Sequence, residues 1–469
     1  MKKTKGFLFP IVALMFFYGC ANYRSRPLLP SRTASQFEAR TLDSPGLREF
    51  MEKDKNKKIH HRIKHWPPEA WDFRMLELAA AYYSPALDVM REKWGVAKAA
   101  VITAGGRPNP GASLLGQHHS STPGGISPWT WGISLDIPVE TAGKRGYRIR
   151  QAKHLSAAAQ LNIAETAWQV RSSLRKGLLD LYAATGRQRY LMDRFSVERK
   201  IAGLFEERLA VGESSQFEVT QSRLALDKTR LLLAGNQKKK AEARNALAEA
   251  LGLQVKALDG IRISFDLFKR RPETVNLKDI RRRALMDRAD ILSALQEYEA
   301  SQAALQLEIA KQYPDIHLGP GYEWDQGDNK WTLGFGISLP VFNQNQGPIA
   351  EAKARRGEMA AKFIALQAGV IEQIARAEAA YSVSIANLDA ARSLARDEKA
   401  ALSAEKLRFK SGEVGLLDLE QARMQLASTE LFRFEAFISA QRAFGRLEDA
   451  VERPLDNMGK PAIKNGVKK

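Results

Sequence analysis

Arg208-Leu209-Ala210-Val211-Gly212-Glu213-Ser214-Ser215-Gln216-Phe217-Glu218-Val219-Thr220-Gln221-Ser222-Arg223 returns 200 residues later as Arg408-Phe409-Lys410-Ser411-Gly412-Glu413-Val414-Gly415-Leu416-Leu417-Asp418-Leu419-Glu420-Gln421-Ala422-Arg423. Arg, Gly-Glu, a hydrophobe, an acid, a hydrophobe, Gln and Arg recur in register, with apolar helical sequence on either side. Periods of about 20–50 residues indicate solenoids. A period of 200 instead indicates two copies of one large unit, each containing a helix–turn–helix. Gly212 and Gly412 supply the backbone freedom that so tight a reversal demands.

Outward from the turns, the helical signal is unusually long. Lys144 to Val211 contains no proline, and neither does Ile349 to Ser411. In the second run Phe363, Leu366, Val370, Ile374, Ala377, Tyr381, Ile385 and Leu388 are spaced 3, 4, 4, 3, 4, 4 and 3 apart, the seam of a coiled coil. Such helices reach roughly 90–100 Å at about 1.5 Å per residue. After each Gly-Glu turn the chain returns along Phe217–Gly252 and Leu416–Val451. Leu253–Asn276 between the copies is mixed and partly apolar, and predicts a small non-helical collar.

Upstream of each long helix the period changes to two. Trp71 to Ala104 is helical, interrupted at Ser84-Pro85, and the breakers Gly105-Gly106-Arg107-Pro108-Asn109-Pro110-Gly111 follow. In Trp129-Thr130-Trp131-Gly132-Ile133-Ser134-Leu135-Asp136-Ile137-Pro138 the large apolar residues alternate with Thr, Gly, Ser and Asp. The pattern returns 202 residues later, with Trp331, Leu333, Phe335, Ile337 and Leu339 alternating with Thr332, Gly334, Gly336 and Ser338. Ile316 to Trp324 is the expected hairpin partner, joined by the polar turn Asp325 to Lys330. Gly111 to Ser120 is the expected partner in the first copy, although it alternates poorly. The hairpins fall at about 111–139 and 315–341. A soluble sandwich strand turns charges to water; these strands carry a small, weakly polar face and aromatics near the turn. Strands of about 10 residues, apolar outward and polar inward with an aromatic girdle, suit an outer-membrane barrel. On that reading Trp129, Trp131, Ile133, Leu135, Trp331, Leu333, Phe335 and Ile337 face lipid. Four strands alone leave two open edges that lipid cannot satisfy, so closure requires other chains.

The ends are of another kind. Lys2, Lys3 and Lys5 followed by apolar Phe7 to Phe17 predict an export signal over residues 1–19. Cys20, the single cysteine of 469 residues, follows Gly19. The junction resembles a bacterial lipobox, whose thiol takes a diacylglycerol, although Phe17 and Tyr18 depart from its pattern; an ordinary signal peptide or a chance cysteine is the alternative. No later stretch approaches the roughly 18 consecutive apolar residues of a membrane helix. The net charge is +19, yet 13 of those units lie in the leader, in residues 21–65 and in residues 453–469. That distribution argues against nucleic acid. It predicts basic, solvated arms at 20–65 and 452–469 that can lie against anionic lipid. Residues 66–260 form the first repeat and 261–451 the second.

An export leader, then hairpin, long helix, Gly-Glu turn and return helix, all twice, resembles the TolC family of outer-membrane efflux proteins over residues of about 66–450. Ala104-Gly105-Gly106-Arg107-Pro108-Asn109-Pro110, Thr141-Ala142-Gly143-Lys144-Arg145 and Leu339-Pro340-Val341-Phe342-Asn343-Gln344-Asn345-Gln346-Gly347 resemble the CzcC-like branch that serves heavy-metal pumps. That branch usually has Arg where Gln344 stands. The resemblance implies an α+β membrane protein with two internal repeats. It implies a homotrimer whose twelve-stranded barrel, four strands per protomer, continues as a coiled-coil periplasmic tunnel. It also implies a passive conduit of a tripartite system, with a periplasmic adaptor protein and an inner-membrane pump of the RND type as partners. Gly212, Glu213, Gly412 and Glu413 then mark the periplasmic tips, where an adaptor docks. Asp418 falls at the position of a constriction carboxylate, with Gln421 where a second acid is familiar and Glu218 as the counterpart in the first copy.

His60, His61, His65, His118 and His119 lack the Cys/His spacing of a zinc site, and no metal site or cofactor is expected. No nucleophile–base constellation or phosphate loop points to an enzyme. The competing reading is a soluble or lipid-anchored periplasmic coiled-coil scaffold without a pore; burial of the large strand residues would distinguish it.

Overall fold

The computed structural model describes residues 22–54, 65–272 and 277–455. The export leader, Cys20, His60, His61 and the basic tail from residue 456 lie outside them. Residues up to Thr41 and residues from Leu42 onward form separate units, the first carrying helix α1 (Pro30–Glu38).

The second unit begins earlier than the charge pattern predicts. A solvated arm was expected to residue 65, but Leu42, Leu47 and Met51 are fully buried in the main core. Ser44 caps α2 (Pro45–Glu52), its hydroxyl accepting from the Leu47 N–H at 3.3 Å, and Pro45 opens the first turn. The dense charge around these three apolar residues hides a short amphipathic helix. Asp72 caps α3 (Phe73–Tyr83), which is apolar apart from Arg74 and Glu77 and is buried along nearly its whole length. Ser84 both ends α3 and caps α4 (Pro85–Ala104), which accounts for the interruption in the helical pattern.

Strands β1 (Gly111–His118) and β2 (Trp129–Val139) form the first hairpin. Helix α5 (Lys144–Ala210) and α6 (Gln216–Leu251) follow, then two short 3-10 turns, Val255–Leu258 and Asp266–Phe268. Next come α7 (Leu277–Asp287), α8 (Ala289–Ala310), β3 (Ile316–Asp325) and β4 (Asp328–Ile337). The chain ends with α9 (Gln346–Lys410) and α10 (Leu416–Val451). Hairpin, long helix, turn and return helix thus occur twice, in the same order. Helix α9 starts three residues before the expected Ile349. Pro348 falls in its first turn, where its missing N–H has no helical partner in any case.

All four strands join one antiparallel sheet in the order β1-β2-β3-β4. The register keeps the alternation in phase: Trp131 lies opposite Trp324, Ile133 opposite Tyr322 and Leu318 opposite Phe335. Poor alternation in β1 has a steric cause. Gly116 lies opposite Trp131, and a Cβ there would stand 2.9 Å from the indole. The turn expected over six residues is shorter, because β3 and β4 pair up to Asp325 and Asp328, leaving only Gln326 and Gly327. Both take positive φ, as a two-residue hairpin turn requires.

The coiled-coil seam is realised. Val370, Ile374, Ala377, Tyr381 and Leu388 are buried, and Phe363, Leu366 and Ile385 pack against the same cluster as α10 residues Phe444, Leu447 and Val451. The larger core surrounds the collar, where Trp71, Met75 and Leu76 meet Leu174, Leu178, Leu247, Leu251 and Phe268. Trp71 locks α3 to the collar with two backbone hydrogen bonds of 2.8 Å, to Arg262 and Ser264. Helix α5, about 100 Å long at about 1.5 Å per residue, therefore connects the sheet to the collar and the collar to the distal turns.

Candidate channel elements

The repeated residues at the two turns close the helix ends in the same way. Gly212 has φ +77° and Gly412 φ +79°, conformations that favour glycine. The Glu213 N–H donates to Arg208 O at 2.8 Å and the Gly212 N–H to Leu209 O at 3.0 Å. Glu413 and Gly412 repeat this with Arg408 at 2.9 Å and Phe409 at 3.2 Å. This double closure is the Schellman arrangement, which satisfies the last helical carbonyls. The glutamates then fold back on the repeated arginines, Arg208–Glu213 at 3.8 Å and Arg408–Glu413 at 3.5 Å. Arginine, glycine and glutamate recur because one reversal uses all three.

Glu218 and Asp418 stand at the third position of the return helices. The Glu218 carboxylate accepts from the Ser215 N–H at 2.8 Å and from the Ser214 and Ser215 hydroxyls at 2.9 Å, completing a capping box. The Ser215 N–H, followed by the two hydroxyls, holds its carboxyl below the usual carboxylate range. Asp418 accepts from one donor, the Gly415 N–H at 2.9 Å, because glycine has no hydroxyl to complete the box. Asp418 and Gln421 are both exposed and three residues apart, hence on one helix face.

A carboxylate that sequence reasoning missed lies close by. Glu420 is 3% exposed, bonded to Arg423 at 2.5 Å and facing Lys200 of α5 at 3.8 Å. Its burial depends on α5, more than 200 residues away in sequence, so no local pattern announces it.

At the opposite end of the long helices, the residues predicted to face lipid share one face of the sheet. Trp129, Trp131, Ile133, Leu135, Trp331, Leu333, Phe335 and Ile337 are between 39% and 80% exposed. Trp129 stacks on Trp131 at 5.3 Å, and Tyr322 lies 4.8 Å from Trp331. The other face carries Thr130, Ser134, Gly132, Gly319, Gly321 and Gly334. His119 Nε2 lies 3.0 Å from Thr130 Oγ1, whose hydroxyl donates to Asp325 at 2.6 Å, and the His118 ring packs edge-on against Trp129. Below the sheet, Asp315 accepts from Lys144 at 2.8 Å and the Thr141 N–H at 2.9 Å, and Arg148 pairs with Glu140. Burial alone would raise the Asp315 carboxyl, but those two donors and the Lys144 charge hold it below its ordinary value. Among the described residues no helix is long and apolar enough to cross a membrane. The sheet presents a contiguous apolar face built from both hairpins.

Residues 85–253 and 280–451 match the family model described as Outer membrane efflux protein. The chain belongs to the outer membrane efflux protein family. It is an outer-membrane efflux channel of the TolC type, similar to the CzcC branch. The cobalt-zinc-cadmium resistance protein CzcC of Cupriavidus metallidurans is 23% identical over 322 residues, covering 66% of this chain and 76% of that protein. The fold is shared with VceC of Vibrio cholerae, at a TM-score of 0.66 and 21% identity over 81% of this chain and 95% of that one. It is shared also with the Campylobacter jejuni CmeC channel, at a TM-score of 0.66 and 17% identity over 84% and 89%.

Proposed function

We propose that three copies of this chain close one twelve-stranded barrel and that their long helices continue it as a periplasmic tunnel. In this reading the assembly is a passive conduit, fed by an inner-membrane pump of the RND type through a periplasmic adaptor. Gly212, Glu213, Gly412 and Glu413 form the tips that meet the adaptor. Asp418, with Gln421 on the same face and Glu218 in the other copy, lines the constriction. Cys20 carries the lipid that secures the N-terminus. The cargo is small solutes including divalent metal cations, a reading supported by the resistance named for the relative CzcC.

One observation carries the proposal: a four-stranded sheet with both edges unpaired among the described residues and an exposed apolar face. Unpaired edges are untenable in lipid and a broad exposed apolar face is a liability in water, and closure within lipid resolves both together. A soluble scaffold would bury Trp131, Ile133, Leu333 and Phe335, which are 47% to 72% exposed. The test is the full-length chain purified from membranes. A trimer that collapses to monomer on heating in detergent gels, and ion conductance in planar bilayers, are expected. Fractionation as a soluble monomer without conductance would refute the proposal.

A further inference from the structure

The polar face of the sheet has a feature that the channel reading leaves unused. On it, Asp136 of β2 and His317 of β3 meet diagonally across the strands, His317 Nδ1 lying 2.9 Å from Asp136 Oδ1. Both side chains are open, His317 45% and Asp136 60% exposed. Nδ1–H donation to the carboxylate fixes the tautomer and leaves the Nε2 lone pair available. Nε2 makes no hydrogen bond among the described residues. A histidine that donates one ring N–H to a carboxylate is the arrangement that orients metal-binding imidazoles and raises their basicity.

The neighbours keep space open around the pair. Gly111 lies opposite Asp136 on β1, and Gly336 opposite His317 on β4. A Cβ at Gly336 would already stand 3.4 Å from His317 Cβ. Beyond Asp136 the face carries Gly319, Gly334, Ser134 and Gly321, too small to reach the imidazole. His317 also borders a recess of about 560 Å³ where the sheet meets the helices, with Asp315, Glu140, Arg148 and Arg107 on its walls. Asp315 is taken by Lys144 and Glu140 by Arg148, so neither carboxylate competes for His317. Two cations share that wall: Arg148, which is paired with Glu140, and Arg107, three residues beyond the end of α4.

We infer that His317, positioned by Asp136, is a binding station for borderline divalent cations such as Zn²⁺ at the helix-side end of the barrel lumen. This rests on the proposed trimer, in which the polar face lines the pore and three such stations ring it. Imidazole nitrogen is a ligand type that suits Zn²⁺, Co²⁺ and Ni²⁺ and not Mg²⁺. Among the described residues no three or more His, Cys, Asp or Glu side chains converge to hold a metal. The station is therefore one protein ligand completed by water. That weakness fits a conduit, where a site must hold a passing ion and also release it.

Purified trimers in planar bilayers provide the test. Zn²⁺ titrated into the bath should reduce or interrupt the current of the wild-type channel, while Mg²⁺ at equal concentration should not. His317→Gln should raise the half-blocking Zn²⁺ concentration at least about tenfold with unchanged conductance in its absence. Asp136→Asn should raise it by a similar factor, on the scale of about 10–100-fold seen when such orienting partners are lost. It should also move the pH at which block appears, which a purely structural role would not. Equal Zn²⁺ responses in wild type and His317→Gln overturn the inference while leaving the channel intact. Should the protein carry no current, the channel proposal fails first. Equilibrium dialysis of the full chain with Zn²⁺ in detergent then decides the station alone: less Zn²⁺ bound by His317→Gln supports it, equal binding rejects it.

Discussion

Replacing Glu452 by Gln should remove a large part of the pH dependence of stability between about pH 5 and pH 8. Glu452 follows the last turn of α10, and its carboxylate accepts the Ala289 N–H at the start of α8 at 3.1 Å. Its cation, Arg288, is shared: Asp290 holds the guanidinium at 2.6 Å and Glu452 at 3.5 Å, while Arg288 also donates to Ala450 O at 2.6 Å. Glu165 of α5 adds a third acid to the same neighbourhood, so one buried guanidinium faces three carboxyls. Burial, followed by the charge of Asp290, pushes Glu452 up from 4.5 to about 7, and burial raises Glu165 as well.

The sign follows from proton counting. Between 4.5 and about 7 the folded chain holds a proton on Glu452 that the unfolded chain has released. Stability from this group is thus complete below the unfolded value and is lost as pH rises through the folded one. Each pH unit is worth about 1.4 kcal/mol, giving on the order of 3 kcal/mol over the window, an upper figure because Glu165 and Asp290 share the charge. Gln cannot ionise, and its carbonyl can still accept the Ala289 N–H. Denaturant midpoints of wild type and Glu452→Gln in detergent, measured across the pH range, should diverge as pH rises, with the variant favoured at the alkaline end. Parallel curves would show that Glu452 titrates like a solvated glutamate, and the reasoning would be wrong.

Gly412→Ala forces an alanine to φ +79° and should destabilise the second tip locally by about 1–2 kcal/mol, read as faster hydrogen exchange of the Glu413 amide. Global unfolding should hardly change, since nothing packs on that glycine. Asp418→Ala should raise leak conductance and reduce cation preference in planar bilayers, by removing a carboxylate that repeats around the proposed threefold axis. Unchanged conductance and selectivity would remove Asp418 from the constriction.

Periodic features of this chain were legible because they are local. The three-four spacing from Phe363 to Leu388 predicts a buried seam that the structure contains, and the alternation from Trp129 predicts an exposed apolar sheet face. The two-residue turn at Gln326-Gly327 was hidden because polar residues on either side pair as strand ends just as they would populate a loop. Leu42, Leu47 and Met51 were lost among charges, although Ser44-Pro45 is a helix-start signal. Buried ionic residues were the least legible. Arg288 meets Ala450 and Glu452, and Glu420 meets Lys200, only after long helices have folded back on themselves. Nothing in the flanking sequence distinguishes them from solvated charges. His317 and Asp136 belong to the same class, since only the cross-strand register brings them together.

The duplicated turn separates structure from specialisation. The Arg and Gly-Glu common to both turns each have a task in reversing the chain: glycine adopts positive φ, the glutamate N–H closes the last turn, and its carboxylate returns to the arginine. These positions need no further role to explain their recurrence. The copies differ in the four residues that lead into each return helix, Ser214, Ser215, Gln216 and Phe217 against Val414, Gly415, Leu416 and Leu417. In the first copy the serines saturate Glu218 with three donors and spend its charge on capping. In the second, glycine leaves Asp418 with one. A carboxylate less committed to its own helix is freer to act on what passes. By that argument the asymmetry lies in Ser214-Ser215 against Val414-Gly415, and Val414→Ser combined with Gly415→Ser should turn the second tip into a copy of the first.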